Sequence, residues 1–485
     1  MAFRLLRELD AAYERFAEQD AVVWDSGSLS YRELETYIDA TALAMKDAAG
    51  DHGESLRVAI HAERHPATLL AYLACIKNGW SFVPIPPGTP AERAAQIVNS
   101  SNSSLRLSQS NKGLELDMSR IHPACVDVPL VDDPIAWLPH TSGSTGVPKG
   151  VVVTQSNLGS FVEWCVGAFP LRVGQRVASL SPFHFDLATH DIYATLVQGG
   201  TLVLPDEVAE TSPVRCLTFL QELHIERIYM VPTFLERLCR AATKRGVTFP
   251  QVDAVLFAGE RLAASARPLL EATFPEADLW NLYGPIETNV VTCRKLTRGE
   301  THDSSDIGAA LPYAILKVRQ PDNTFRAVGR GELCVGGPSV SPGYLNQSGS
   351  NAERFVEIDD QTLFLTGDEV SLDDSGRVTL HGRLDNMVKI RGLRVELEEV
   401  ESVIGADPAV RAVGVVPDPD EISLIAYVQL EEAASGVDDV KIRCHERLPT
   451  YMLPSKWVIL PEMCTTPSGK VDRQTLRRVK TGLGL

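Results

Sequence analysis

The sequence predicts an α/β protein in which a large N-terminal domain of layered β-sheets and helices is followed by a small α+β C-terminal domain. Two observations lead to this fold class. Helical stretches alternate with short β-rich runs such as Thr201 to Leu204 and Ala254 to Phe257, an alternation typical of layered α/β folds. The chain also has 485 residues, which is more than one hydrophobic core usually supports.

Helix-start signals mark the first helices of the N-terminal domain. Ser30-Tyr31-Arg32-Glu33 is a capping box, and the helix that it opens is expected to run towards Lys46. An apolar helix is expected near Pro66 to Asn78, followed by a β-like run from Trp80 to Ile85. Pro90 then opens a third helix, because proline is favoured at the first helical position. Further strands are expected at Val177 to Leu180, Thr201 to Leu204, Arg227 to Val231 and Ala254 to Phe257.

The domain boundary is expected just after Gly382-Arg383-Leu384-Asp385. Before it lies a strand-like run, Arg377 to His381, and after it a basic segment, Lys389-Ile390-Arg391-Gly392. Roughly 100 residues follow, which is enough for a small α+β unit. We therefore predict domains at residues 1–384 and 385–485.

Net charge, cysteine spacing and the lengths of apolar runs argue against several classes of protein. A net charge of −17 argues against a general basic face for nucleic acid. Nine cysteines are scattered without C-x-x-C or zinc spacing, as expected of reduced thiols. The first residues carry acids where a signal peptide needs an apolar core, and the longest apolar stretch, around Leu69 to Ile76, is about ten residues and too short for a bilayer. We therefore expect a cytoplasmic protein without nucleic-acid or membrane partners.

The segment His140 to Gly150 has the composition of a phosphate-binding loop. Its three glycines let backbone amides approach a polyanion, and four hydroxyls add donors. It is not a Walker A loop, because no Gly-Lys-Ser/Thr follows and no helix starts at once. A flexible Ser/Gly turn is the alternative interpretation. The candidate phosphate-binding residues are Thr141, Ser142, Gly143, Ser144, Thr145, Gly146 and Lys149.

Three further segments each carry a weak signal. The run from Asn281 to Glu287 offers an aromatic ring for a base and a carboxylate for a hard cation, although a structural turn with a solvated Glu is the better interpretation of that run alone. Asp368 can accept hydrogen bonds from the two hydroxyls of a ribose, and Arg383 lies fifteen residues later. Lys470 follows Pro467-Ser468-Gly469, a loop on which lysine is normally solvated.

In this order and spacing, the four segments resemble the adenylate-forming superfamily, in particular the amino-acid adenylation domains of nonribosomal peptide synthesis. Three more segments extend the resemblance over nearly the whole chain: Ile76 to Pro84, Gly331 to Val335 with Gly343-Tyr344, and Leu448 to Pro454. The resemblance implies a C-terminal domain that moves as a lid about a hinge, here Asp385.

The resemblance also implies a two-step reaction that uses ATP and Mg²⁺. The substrate carboxylate attacks the α-phosphate of ATP to give an aminoacyl-AMP and pyrophosphate, and the aminoacyl group then passes to the thiol of a phosphopantetheine arm. The implied catalytic residues are Lys470, Glu287 and Lys149, with Glu287 as the magnesium ligand. The implied ATP-binding residues are Thr141 to Gly146, Asn281, Tyr283, Gly284, Asp368 and Arg383.

Lys470 is implied to bridge the substrate carboxylate and the ribose and phosphate oxygens. Negative charge grows at an α-phosphate under attack, and a cation already in place in a closed site stabilises that state.

Phe185-Asp186-Leu187 matches the motif in which amino-acid-activating members carry an aspartate for the substrate ammonium. From residue type alone, an Asp that caps the following helix is the alternative. Anchoring on the motifs gives the expected lining residues, which are Asp186, Leu187, His190, Tyr229, Leu256, Ala258, Leu282, Val290, Val291 and Lys470.

The expected pocket walls are mostly apolar, which disfavours charged or amide side chains because these would bury polar groups without partners. The set is similar to the lining of proline-activating members that load a stand-alone carrier protein, so we expect L-proline, with pipecolate or a small aliphatic amino acid still open. His190 and Val291 depart from that pattern. His190 is either a neutral wall residue or a partner for a hydroxylated substrate.

The expected partner is a separate phosphopantetheinylated carrier protein in secondary metabolite biosynthesis, because no segment after Lys470 resembles a carrier's attachment site. Three alternatives stay open. A D-alanine–carrier protein ligase would use Asp186 equally well. An acyl- or aryl-acid–CoA ligase has no need of Asp186. A nucleotide-binding protein that has lost catalysis has no need of the retained Lys149, Glu287 and Lys470.

Overall fold

The computed structural model describes residues 5–50, 56–110, 113–121, 133–142, 148–300, 303–419, 422–431, 436–465 and 471–479. The chain divides into two compact units. The first comprises Met1–Pro86, Asn99–Pro139 and Gly150–Leu384, and the second comprises Pro87–Val98, His140–Lys149 and Asp385–Leu485. The second unit therefore contains two short segments from early in the chain besides the C-terminal segment, which begins at the residue expected to be the hinge. Rotation about that residue stays a prediction.

A 15-stranded sheet runs through the first unit. From one edge to the other its strands are Phe325–Arg326, Ile315–Arg319, Gly329–Gly336, Gln361–Leu372, Arg377–Arg383, Asp306–Ala310, Thr292–Leu296, Asp278–Tyr283, Ala254–Phe257, Arg227–Met230, Arg176–Ala178, Thr201–Val203, Asp20–Trp24 and Gly27–Ser30, and Phe355–Ile358 pairs with Gln361–Leu372.

The middle of this sheet is parallel and buried on both faces. Ala254–Phe257 is a continuous apolar run and is wholly buried, as expected of a parallel strand covered on both sides. Tyr229, Leu256 and Trp280 lie side by side on adjacent strands. Leu256 packs in one core cluster and Phe257 in another, because successive side chains on a strand point to opposite faces.

A second, six-stranded sheet belongs to the same unit. Its strands, in spatial order, are Val153–Thr154, Ile135–Trp137, Ser81–Ile85, Arg57–His61, Leu105–Gln109 and Leu116–Arg120. Helices pack with the two sheets, and the most apolar of them, Pro66–Lys77, is buried at every residue except Lys77. The other helices of this part of the chain are Leu5–Arg15, Tyr31–Ala49, Gln155–Ala168, Leu187–Thr189, His190–Ala194, Thr195–Val197, Glu207–Thr211, Pro213–Glu222, Pro232–Arg245, Ala264–Ala266, Arg267–Thr273 and Ser348–Arg354.

The second unit is a small α+β body. Its strands form a hairpin, Met387–Ile390 with Leu393–Glu396, and a three-stranded sheet, Val410–Pro417, Leu424–Leu430 and Lys456–Ile459. Its helices are Leu397–Gly405, Asp438–Arg447, Thr450–Met452 and Arg473–Arg478, and Ala91–Ser100 begins in this unit. The buried carboxylate of Glu399 forms an ion pair with Arg93 at 2.5 Å inside it. The α/β fold class predicted from the sequence is confirmed.

Individual elements follow the sequence closely. In the capping box, Glu33 N donates to Ser30 Oγ at 3.3 Å and Ser30 N donates to Glu33 Oε2 at 2.8 Å. The helix runs on to Ala49, past Lys46. Pro90 precedes its helix, which begins at Ala91, so the expectation that proline occupies the first helical position is wrong by one residue. The described cysteines are free thiols, and no described helix has the length and apolar character needed to cross a membrane.

Candidate active site

Asp368 and Arg383, expected to bind a ribose, lie on adjacent strands of the large sheet. The two residues are paired in register, and Arg383 Nη1 lies 3.1 Å from Asp368 Oδ2. The Tyr283 hydroxyl donates to the same oxygen at 2.6 Å. Burial, followed by the neighbouring Asp368 carboxylate, raises the pKa of Tyr283 well above its usual value, so the phenol stays a donor. We call these three side chains the Tyr–Asp–Arg cluster.

A bulge at Thr366-Gly367-Asp368, within the strand Gln361–Leu372, positions the acid of this cluster. Thr366 Oγ1 accepts from Asp368 N at 3.0 Å and donates to Leu333 O at 2.9 Å. Gly367 has φ of +75°, a left-handed conformation that favours glycine. Thr366 therefore fixes the backbone at Asp368, and Tyr283 and Arg383 fix its side chain.

Gly284 allows the chain after Tyr283 to fold back on itself. A Cβ at Gly284 would lie 1.8 Å from the carbonyl oxygen of Asn289, a distance that no side chain tolerates. Asn289 has φ of +53°, and its side-chain oxygen accepts from Val290 N at 2.7 Å. Its amide also lies 3.4 Å from Thr189 Oγ1, on the helix that follows Asp186. Asn281, on the strand that leads into this turn, is buried.

Glu287, expected to bind magnesium, is completely buried. Tyr344 donates its hydroxyl to Glu287 Oε1 at 2.7 Å, and Ser341 N donates to the Glu287 carbonyl at 2.7 Å. No group of three or more His, Cys, Asp or Glu side chains is placed to hold a metal in the part of the chain that the structure describes. A single fixed carboxylate nevertheless fits Mg²⁺, which usually takes one or two protein carboxylates and completes its shell with substrate phosphates and water.

Asp186 stands directly before the helical segment 187–197. It makes no side-chain cap hydrogen bond to that helix, which removes the main support for a capping role. Burial is the main cause of the raised pKa of Tyr229, and the Asp186 carboxylate is the next largest. The Asp186 carboxyl group is therefore near enough to Tyr229 to influence the pKa of the phenol.

Most of the expected lining residues share one core cluster. Its fully buried members among them are Tyr229, Leu256, Ala258, Leu282 and Val290. Leu187 packs against the same cluster. Val291 instead packs with Tyr283 and Ile307 in a separate core cluster.

His190 is buried at the start of a π-helical turn, His190–Ala194. Its ring lies edge-to-face with Tyr229, at 5.5 Å between centroids, and with Phe169, at 6.1 Å. Its Nδ1 lies 3.2 Å from Asp191 Oδ1. His190 therefore contacts one of the expected lining residues through its ring and an acid through its nitrogen.

Residues 140–149 of the predicted phosphate loop belong to the second unit, and of these 140–142 and 148–149 are described. The strands His140–Thr141 and Lys149–Gly150 pair with each other and flank the loop. Ser142 Oγ donates to Arg394 O and accepts from Glu396 N, both at 3.2 Å. The loop residues Gly143, Ser144, Thr145 and Gly146, and the expected catalytic residue Lys470, lie outside the described residues.

Three residues that contact the expected site carried no predicted role. Tyr344 lies in a segment that resembles a family motif, and its contact with Glu287 bridges 57 positions of sequence. Asn289 follows the Glu287 turn, and only its left-handed backbone marks it. Asp191 gives no signal in the sequence, because an acid one residue after a histidine is common on any helix surface.

Comparison with known proteins gives consistent matches along the chain. Residues 9–345 match the family model described as AMP-binding enzyme, and residues 399–470 match that described as AMP-binding enzyme C-terminal domain. A D-alanine–D-alanyl carrier protein ligase of Bacillus cytotoxicus is 31% identical over an alignment covering 98% of this chain and 99% of the relative. A ligase of the same name from Bacillus anthracis is also 31% identical, with the same coverage.

Solved structures show the same fold. The Vibrio cholerae adenylation domain AlmE, in complex with glycyl-adenosine-5'-phosphate, superposes with a TM-score of 0.84 at 22% identity, covering 99% of this chain and 98% of that one. IdnL1 superposes with a TM-score of 0.79 at 25% identity, covering 95% and 99%.

Proposed function

This chain belongs to the AMP-binding family of adenylate-forming enzymes, and we propose that it activates D-alanine, or an amino acid of similar size, and loads it onto a separate carrier protein. Enzymes of this family are ATP-dependent ligases that use Mg²⁺. The observation that supports D-alanine is the 31% identity, over 98% of the chain, to ligases named for D-alanine and a D-alanyl carrier protein. L-Proline, which the pocket composition predicted, has no support from these relatives.

The pocket chemistry suits a small amino acid. Asp186 would bind the substrate ammonium, a role that D-alanine and L-proline fill equally. The residues proposed to line the wall are large and closely packed, since Tyr229 and Leu256 are at most 1% exposed and His190 is 2% exposed. A methyl side chain needs no polar partner on such a wall, whereas a charged or amide side chain would lose its hydrogen bonds.

For ATP, the Tyr–Asp–Arg cluster would hold the ribose through the Asp368 carboxylate. Tyr283 would also stack on adenine, with Asn281 at the edge of the base. Glu287, oriented by Tyr344, would hold Mg²⁺ together with phosphate oxygens, and the ion would neutralise charge on the phosphates. The phosphates themselves would bind to Thr141 to Gly146 and Lys149.

Lys470 would complete the reaction by bridging the substrate carboxylate and the α-phosphate. We also propose that residues 385–485 move as a lid about Asp385, so that this lysine acts in the first half-reaction and withdraws before the thioester forms. A cytoplasmic location belongs to the same proposal, because the reaction consumes ATP.

The test is amino-acid-dependent exchange of pyrophosphate into ATP. The panel is D-alanine, L-alanine, glycine, L-proline, pipecolate, 4-hydroxyproline and the remaining proteinogenic amino acids. The highest kcat/KM is expected for D-alanine, and a phosphopantetheinylated D-alanyl carrier protein should gain the mass of one alanyl group. A clear preference for L-proline would restore the prediction from pocket composition, and exchange with none of the panel would reject amino-acid activation.

A further inference from the structure

We propose that Asp191 is a positioning residue that fixes the ring of His190 as the end wall of the amino-acid pocket, and so restricts the enzyme to substrates with small side chains. This inference rests on the proposed function, because it assumes that His190 faces the substrate. It adds a residue that the mechanism above does not use, and it explains why a titratable pair is kept in the core.

The backbone around the pair is irregular. The helix that follows Asp186 is α-helical over Leu187–Thr189, π-helical over His190–Ala194 and α-helical again over Thr195–Val197. Consecutive residues of an α-helix point roughly 100° apart and do not face each other. His190 and Asp191 nevertheless touch through their side chains at the first π-helical residue, and such turns are often found at functional sites.

Asp191 is wholly buried, so its carboxyl group depends on contacts within the protein. Burial raises the pKa of its carboxyl group, and the hydrogen bond from His190, the charge of Arg64 and the backbone amide of Ser181 act in the opposite direction. A buried acid is costly unless it is hydrogen-bonded, and the contact with His190 supplies such a hydrogen bond to the Asp191 carboxylate. The contact takes up Nδ1, and the opposite edge of the imidazole is left to face away from the acid.

The ring itself is held on two more sides. Phe169 and Tyr229 meet it edge-to-face, with interplanar angles of 80° and 85°. Phe169 is held in turn by edge-to-face contacts with Trp164 and Trp280, at 5.2 Å each. His190 is therefore restrained in tilt by aromatic rings and in rotation by Asp191, and a wall restrained in this way cannot yield to a longer side chain.

The proposal is tested by comparing D-alanine with D-valine in the pyrophosphate exchange assay. In Asp191→Asn the discrimination in kcat/KM between the two is expected to fall about tenfold, because a wall that yields removes part of the 10- to 200-fold penalty for extra methylenes. The change should lie mainly in the KM for the amino acid, with the KM for ATP within threefold of wild type. An unchanged ratio in a folded Asp191→Asn protein would overturn the proposal.

Two further variants separate positioning from general damage. His190→Leu should lower the same discrimination, and adding Asp191→Asn to it should change the ratio no further, because the acid acts through the ring. Independent, additive losses would contradict this. Asp306→Asn is the matched control and should keep the wild-type discrimination between D-alanine and D-valine. It neutralises another buried acid of the same unit, which pairs with Arg294 and Arg377.

The outcomes distinguish this inference from the proposed function. If wild-type enzyme shows no exchange with any amino acid, the proposed function fails. If wild type is active and Asp191→Asn does not fold, His190→Leu alone decides: a discrimination equal to that of wild type overturns the end-wall role, and a reduced one supports it.

Discussion

The Tyr–Asp–Arg cluster and the His190–Asp191 pair each contain a buried acid, and the two acids are held in different ways. Asp368 receives a phenol and a guanidinium from residues 85 and 15 positions away in sequence, brought together by strand pairing. Asp191 receives its partner from the adjacent residue, through a local irregularity of a helix. The first arrangement follows from the fold that the whole sequence encodes, and the second depends on one turn of backbone.

The difference has a functional counterpart. The first acid is proposed to bind the nucleotide, which is common to the whole family, and the second to shape the pocket for the amino acid, which varies between members. Variants of the Tyr–Asp–Arg cluster should therefore change mainly the kinetic parameters for ATP. Variants of the His190–Asp191 pair should change mainly those for the amino acid.

The largest effect is expected from Lys470→Ala, which removes the cation proposed to act on both substrates at once. Loss of one such donor costs about 3–4 kcal/mol in the barrier, so pyrophosphate exchange should fall by ~100-fold or more. Transfer from preformed aminoacyl-AMP to the carrier should be spared. Lys456→Ala, at an exposed lysine of the second unit, is the control, and equal loss of both half-reactions would refute the role.

The next largest effect is expected from Asp368→Ala. The change leaves Tyr283 and Arg383 without their shared acceptor and removes the ribose ligand, and hydrogen bonds to charged groups are worth about 1.5–3 kcal/mol each. The kcat/KM for ATP should fall roughly 100-fold, while the order of preference among amino acids stays that of wild type. Asp374→Ala, an exposed acid six positions on, should behave as wild type. A changed amino-acid preference would contradict the proposed division between nucleotide binding by the Tyr–Asp–Arg cluster and amino-acid selection by the His190–Asp191 pair.

A smaller effect is expected from Tyr344→Phe. It deletes a hydroxyl that donates to Glu287 Oε1 and leaves the carboxylate itself in place. The Mg²⁺ concentration needed for half-maximal exchange should rise about tenfold, as the loss of one hydrogen bond to a charged group predicts. Tyr37→Phe, at a tyrosine that is 43% exposed, is the matched control. An unchanged Mg²⁺ requirement would show that Tyr344 does not orient the ligand.

The smallest effect concerns His184, six positions before His190. Burial, and secondarily Arg64, lower the pKa of His184 to about 3. The unfolded chain therefore binds a proton that the folded chain refuses as pH falls below 6.5, and stability is lost from there towards pH 3.

For the partly exposed His184 side chain, the loss in the free energy of unfolding is about 1 kcal/mol at pH 5.5. His184→Gln should reduce by that amount the difference in unfolding free energy between pH 7.5 and pH 5.5, measured by urea denaturation, and should leave exchange activity unchanged. An identical pH dependence in both proteins would contradict the assigned cause.

Much of the fold was predictable because its signals are local or repeated. The capping box at Ser30 and the apolar run Ala254–Phe257 form as their residue types dictate. The cluster in which Val291 packs was not predictable from the anchoring motifs, because the motifs give its position in the sequence and not the neighbours of its side chain. The role of Asp191 depends on a π-helical turn that leaves no pattern in the residues.

The substrate was the least predictable feature. An apolar wall excludes charged side chains but separates L-proline from D-alanine by little, because each methylene is worth only about 1–3 kcal/mol. Support for D-alanine comes from relatives that match 98% of the chain and not from the lining residues.

The central claim is that Asp186 binds an amino acid by its ammonium group. Its most direct test is adenylation of D-alanine against D-lactate, which has the same size and carboxylate but a hydroxyl in place of the ammonium. Wild-type enzyme is expected to prefer D-alanine by at least ~100-fold in kcat/KM, since an unpaired buried carboxylate costs several kcal/mol, and Asp186→Asn is expected to remove most of this preference. Equal turnover of the two substrates by the wild-type enzyme would contradict it.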